Sequence, residues 1–271
     1  MPVLLPETID QACTMLAEHA SAIPLAGGTD LLVHWPQQLS EHAKTFLDLS
    51  KLTELKPLKW TDTELVLGGL TTYWDVIQEA RAWKEFPLLI EAGRQVGAVQ
   101  IQARGTWAGN IINASPAADG VPVLMAYDAV VELVSQQGSE HIALSDFYLG
   151  YKQMRRRPEQ LIRAIRIPLR KYTFQLFEKV GSRRAQAITK VGVAVTCSDA
   201  GWRVVANSVA PTVCRCPSIE KLLEGGTRLT SDQLLAAIRQ DISPIDDIRS
   251  TAAYREQVLA HLLSHGVAAG S

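Results

Sequence analysis

The period of the hydrophobic positions changes repeatedly along this chain, and each change predicts a new element. Ile9, Ala12, Cys13, Leu16 and Ala17 recur at intervals of three and four, so residues 7–19 predict an amphipathic helix. "AIPLAGG" then predicts a short buried strand ending in two glycines. "KTFLDLS" (44–50) and "ELVLGGL" (64–70) predict further strands, each closed by turn residues. "TTYWDVIQEA" and "PLLIEAGRQVG" predict helices, the second stopped by Gly97 just past its end. "VPVLMAYDA" predicts a helix beginning at Pro122, and "AVVELVS" (129–135) a strand. In "QLIRAIRIP" (160–168), Leu161, Ile165 and Ile167 alternate with Arg163 and Arg166, the mark of another strand.

Beyond about residue 170 the texture changes. "FQLFEKVG", "ITKVGVAVTCS" and "WRVVANSVA" arrive in succession as strands, the last two joined by "DAG". Helical patterns at 218–224, 231–241 and 251–265 close the chain, with Ser250 expected as the last N-cap and Gly266 just past that helix. Strands followed by helices predict an α+β unit, a three-stranded antiparallel meander under a small helical bundle. A domain boundary is expected near residue 170.

Composition narrows the function classes. The chain has 271 residues, enough to bury a core in one large or two modest domains. Its 27 basic and 28 acidic residues nearly cancel, which gives no reason to expect nucleic acid or an acidic membrane as partner. The start, "MPVLLPETIDQACTMLAEH", does not read as a signal peptide, and no apolar run reaches the roughly 18 residues of a membrane span. Cys13, Cys197, Cys214 and Cys216 are too few for a disulfide scaffold in a chain of this length, and a reducing cytoplasm suits them best. Cys214 and Cys216 form only a C-x-C pair, short of the thiolates an iron–sulfur cluster uses. His261 and His265 lack the glutamate of H-E-x-x-H, and "RRR" (155–157) reads as a solvated turn. No metal ligands and no catalytic side chain are assigned.

Two loops carry the chemistry. "LAGGTDLL" (25–32) follows a strand, and its paired glycines make either a plain tight turn or a backbone concavity able to bind an anion. "RGTWAGNIINASPAAD" (104–119) keeps the backbone approachable at Gly105, Ala108 and Gly109. It adds polar groups at Thr106, Asn110, Asn113, Ser115 and Asp119. Neither loop is a Walker A motif or a G-x-G-x-x-G fingerprint. Two such loops suit a ligand whose diphosphate is held between two subdomains.

This pair of loops resembles the flavin-binding loops of the FAD-binding (medium) subunit of molybdenum hydroxylases, the xanthine dehydrogenase and carbon monoxide dehydrogenase family. The resemblance spans nearly the whole chain. It implies a two-subdomain, PCMH-like FAD-binding domain over residues 1–167, and a smaller α+β domain over 168–271. It implies that Leu25, Ala26, Gly27, Gly28, Thr29, Asp30 and Leu31 wrap the FAD diphosphate. Thr106, Gly109, Asn110, Asn113, Ser115 and Asp119 match the family's second loop. Ala108 stands where the family prefers glycine, which requires a negative φ there, and Trp107 replaces a smaller residue, so its bulk must turn into the protein. Ile162 matches an aliphatic residue beside the isoalloxazine ring, and Lys179 a lysine near the flavin in some relatives.

The implied function is that of an oxidoreductase subunit carrying electrons in a cytoplasmic heterotrimer. A large subunit would hold molybdopterin and a small one two [2Fe–2S] clusters, with NAD or another acceptor taking the electrons. Purines, N-heteroaromatics, aldehydes and CO all remain open as substrates. So do two other readings: a stand-alone FAD oxidoreductase of the same superfamily, and a non-enzymatic nucleotide-binding module.

Overall fold

A computed structural model describes residues 2–33, 44–226 and 230–270. The chain opens with a parallel sheet of β1 (Val3–Leu4), β2 (Ile23–Leu25) and β3 (Phe46–Asp48), in the order β1-β3-β2. Helix α1 (Ile9–Glu18) lies between β1 and β2 in the chain. Thr8 caps it by accepting the Gln11 amide, and its periodic residues Ile9, Ala12, Cys13 and Leu16 are the buried ones. They join Leu47, Leu49, Leu52 and Leu55 in a small core of their own.

The second sheet is antiparallel: β4 (Leu58–Trp60), β5 (Glu64–Gly68), β6 (Val130–Ser135), β7 (Gly138–Ala143) and, after the short ribbon of β8 (Tyr148–Gly150) and β9 (Gln153–Met154), β10 (Leu161–Pro168). Its order is β4-β5-β10-β6-β7, so β10 is central, and the register of β10 against β6 shifts between Ile162 and Ala164. Strand β7 was silent in the hydrophobic pattern. It is an edge strand reading "GSEHIA", in which only Ile142 is buried.

Helices fill the chain between β5 and β6: α2 (Tyr73–Gln78), α3 (Ala80–Glu85), α4 (Pro87–Gln95), α5 (Val99–Gln102), α6 (Trp107–Asn113) and α7 (Gly120–Ala126). Gly97 adopts φ +55 just beyond the C-cap of α4, as expected of a helix stop. Every residue of α7 is buried, because the helix packs between α4 and the C-terminal sheet. It begins at Gly120, two residues ahead of the expected Pro122.

The C-terminal sheet runs β11 (Tyr172–Val180), β12 (Val191–Ser198), β13 (Gly201–Asn207) and β14 (Cys214–Arg215). The expected three strands are therefore four. The added one pairs with Val205 and Ala206 at the edge and is too short to show a period. Alternation divides the faces. Val191, Val193, Val195, Val204 and Ala206 belong to a core shared with α8 (Pro217–Glu224), α9 (Ser231–Asp241) and α10 (Ala252–Gly270). Phe177, Ala194 and Val205 join the main core, which also contains α7 and the second sheet.

The last helix departs from its expected ends. Thr251, not Ser250, accepts the first-turn amide, from Tyr254, and the helix continues through Gly266. A Cβ at Gly266 would lie 2.3 Å from Leu176 Cδ2, so this glycine serves close packing of helix on sheet rather than termination.

Candidate functional site

The first loop leaves β2 where the Leu25 carbonyl accepts the Leu49 amide. Gly28 then takes φ +72, a left-handed turn natural to glycine. Among the described residues, the amides of Gly27, Gly28, Thr29 and Asp30 donate to no protein acceptor. The loop rests directly on the backbone that leads into the second: a Cβ at Gly27 would sit 1.7 Å from the Arg104 carbonyl oxygen.

The second loop is laced to the start of α2. Tyr73 donates its amide to Gly105, and Trp107 donates its own to Thr71. Thr106 caps α6, its hydroxyl accepting the Gly109 amide at 2.9 Å. Trp107 is fully buried in the main core, its ring 4.8 Å from that of Tyr73. Ala108 has helical backbone, the negative φ its methyl requires. Helix α6 ends on Ala114 at φ 48.

Between the loops lies a cavity of about 560 Å³. Asn113 crosses from one to the other, donating its side-chain amide to Asp30 at 2.8 Å while its Oδ1 accepts from Lys152 at 2.7 Å. Of the residues named from sequence, Ala26, Gly27, Gly28, Thr29, Asp30, Leu31, Thr106, Gly109, Asn110, Asn113 and Ile162 line this cavity.

Four do not. Leu25 ends β2, and the Ser115 hydroxyl holds its own turn by accepting the Ala117 amide. Asp119 and Lys179 spend their charges on each other. The Lys179 ammonium donates to Asp119 at 2.7 Å and to the Gln95 carbonyl at 3.1 Å, and Thr189 donates its hydroxyl to Asp119. Burial pushes the Asp119 carboxyl up, while Lys179 and Thr189 hold it partly back. This pair joins the N-terminus of α7 to β11.

Sequence reasoning missed other parts of the wall. Tyr73 lines the cavity, and burial pushes its hydroxyl far above the ordinary phenol range, so it stays a neutral donor. Nothing distinguished it from any other apolar position of α2. The "RRR" turn is not uniformly solvated, since Arg156 is half-buried in the wall. A signal existed only in its place just ahead of "EQLIRAIRIP".

The residues present fit a dinucleotide. Unpaired successive amides around a left-handed glycine form an anion-binding concavity suited to a diphosphate. Ile23, Ile101, Ile112, Leu161 and Ile162 give the same cavity an apolar surface for a flat ring, and its volume lies within the range of small-ligand sites. Among the described residues no three His, Cys, Asp or Glu side chains are grouped to hold a metal, and no helix is long and apolar enough to cross a membrane.

Comparison with known proteins agrees with this geometry. Residues 1–170 match the family model described as the FAD binding domain in molybdopterin dehydrogenase, and residues 177–269 match the CO dehydrogenase flavoprotein C-terminal domain. The chain is 26% identical to the xanthine dehydrogenase FAD-binding subunit of Escherichia coli, over 97% of this chain and 94% of that one. It is also 26% identical to the carbon monoxide dehydrogenase medium chain of Afipia carboxidovorans, over 97% and 93%. In three dimensions it matches a chain of the cyanide-inactivated Cu,Mo-CO dehydrogenase crystal structure with a TM-score of 0.92. The identity there is 24%, and the match covers 100% of this chain and 98% of that chain.

Proposed function

This chain belongs to the FAD-binding family of molybdopterin dehydrogenases, the medium subunits of xanthine and CO dehydrogenase-type molybdenum hydroxylases, and from that premise we propose how it works. It is an oxidoreductase flavoprotein, and FAD is its cofactor. We infer that it receives electrons from two [2Fe–2S] clusters on a small subunit, while a large molybdopterin subunit oxidises the substrate. NAD or another acceptor then takes the electrons. Substrate choice belongs to the large subunit. The assembly is a heterotrimer in the cytoplasm, a setting that suits four free thiols.

One observation carries this reading. Two loops far apart in sequence close on a single cavity, and one of them presents the unpaired amides of Gly27 to Asp30. Those amides bind the diphosphate, with Gly109 and the Thr106 cap opening the facing wall. Asp30 and Asn113 tie the loops together. Ile162 would give the ring an apolar surface to pack on. Leu25, Ser115, Asp119 and Lys179 act from behind the wall by holding its backbone. The FAD-binding domain spans 1–167 and the smaller domain 168–271. Bound FAD supplies the electron-transfer chemistry, and the protein positions it and shields it from water.

Purified protein tests this directly. The expected result is a yellow chain with the absorbance of oxidised flavin at about one FAD per chain, a stoichiometry set by the single cavity between the loops. It should co-purify with a molybdopterin and an iron–sulfur subunit and be reduced through them. A colourless chain that takes up no FAD would overturn the cofactor assignment. A yellow chain reduced by its own substrate without partners would overturn the subunit assignment.

A further inference from the structure

Two charged side chains line the cavity among the described residues, Asp30 and Arg156. Asp30 is engaged by Asn113. Arg156 has no carboxylate partner. Its Nη1 donates to the carbonyls of Gln160 at 2.7 Å and Pro158 at 3.3 Å, its Nε is buried without a partner, and its Nη2 donates to no described group. Its neighbours in the turn do not help: Arg155 donates to the Asp146 carbonyl, and Arg157 holds Glu159 at 2.8 Å and Glu140 at 3.3 Å. Glu159, the carboxylate closest in sequence, is hydrogen-bonded to Arg157 and reaches Arg156 only through space.

A guanidinium does not give up its proton inside a protein. Its only hydrogen-bond partners in the wall are neutral carbonyls, and Glu159 acts on it only through space, so a ligand can bring further compensating negative charge. The backbone shows where. The carbonyl that anchors Nη1 belongs to Gln160, two residues before Ile162 in the wall assigned to the ring, whereas the diphosphate amides come from the loop after β2.

We propose that Arg156 is the fixed counter-charge for the reduced isoalloxazine ring, and so a residue that sets the potential of the bound cofactor. The inference rests on the FAD reading above. Two electrons and one proton take the neutral oxidised ring to a reduced form carrying one negative charge. A cation beside the ring favours that product over the neutral starting form and raises the reduction potential.

The experiment is a redox titration of the FAD-loaded protein with dithionite against indicator dyes, in the wild type, Arg156→Met and Arg156→Lys. Arg156→Met is expected to retain oxidised FAD but to lose about tenfold of its preference for the reduced form, a fall of about 30 mV for a two-electron couple. Arg156→Lys should restore most of that. Should Arg156→Met fail to fold, Arg156→Gln carries the same expectation. An unchanged potential in a neutral variant that still holds FAD overturns the proposal. So does a neutral variant that loses FAD while binding riboflavin as the wild type does, because the charge then serves the diphosphate. A wild type that takes up no FAD overturns the reading beneath it, a distinct outcome.

Discussion

The contact between the two loops can be broken with a single methyl group. In Gly27→Ala the new Cβ would lie 1.7 Å from the Arg104 carbonyl oxygen and 2.5 Å from its carbon, and both are backbone atoms that no rotamer change can move. Real Cβ contacts stay beyond 3.0 Å, so the two backbones must part by about 1.3 Å, the difference between those distances. Forcing extra volume into such a fit costs about 1–3 kcal/mol. If that cost falls on the FAD-competent arrangement of the loops, affinity drops by about 5–150-fold.

Two further glycines separate clash from strain. Gly28→Ala meets nothing closer than 3.4 Å, but its φ of +72 costs a side chain about 1–2 kcal/mol. Gly138→Ala is similarly strained at φ +110 with nothing within 4 Å, but it lies in the β6–β7 hairpin, away from the cavity. Titration of apoprotein with FAD, followed by flavin fluorescence, alongside thermal melts, reads both effects. Gly27→Ala and Gly28→Ala should lose FAD affinity, and Gly138→Ala should lose stability alone. Wild-type affinity and melting in Gly27→Ala would refute the close approach of the loops.

Two further predictions concern charges outside the cavity. Lys179→Met strands the Asp119 carboxylate in the interior and should cost about 3–5 kcal/mol in urea unfolding. Lys179→Met combined with Asp119→Asn should recover most of it, and additive losses in that double-mutant cycle would disprove the pairing. Burial, and then the neighbouring Glu178 carboxylate, push the Glu91 carboxyl up. Its charged form is thus disfavoured in the fold, and the wild type loses stability as pH rises from the unfolded carboxyl range through the raised folded value. Glu91→Gln should therefore melt slightly higher near pH 7, an effect that solvent screening keeps small at this exposed position. The gain should vanish below about pH 4, and a gain that grows on acidification would show the sign to be wrong.

Local order was legible along much of the chain because it is written in neighbours. Period-3.6 spacing announced α1, with Ile9, Ala12, Cys13 and Leu16 all buried. Alternation announced β10, a strand-like apolar run announced β12, and the scarcity of side chains in "LAGGTDLL" and "TWAGNIINASPAAD" singled out two segments that line one cavity. Even the inward turn of Trp107 followed from its bulk. What sequence could not decide depends on what each residue meets across the fold. A helix stops at a glycine when the backbone turns left-handed there, as at Gly97, but Gly266 stays helical and packs closely on Leu176. Three consecutive arginines look alike in one dimension, yet only Arg156 lines the cavity, because Glu159 and the Asp146 carbonyl hold its neighbours elsewhere. Lys179 and Asp119 are both charged and polar in the sequence, but their short distance turns them toward each other instead of into the cavity. Pattern reports which surface of an element avoids water; charge, having no period, takes its role from whichever partner the tertiary fold brings within reach.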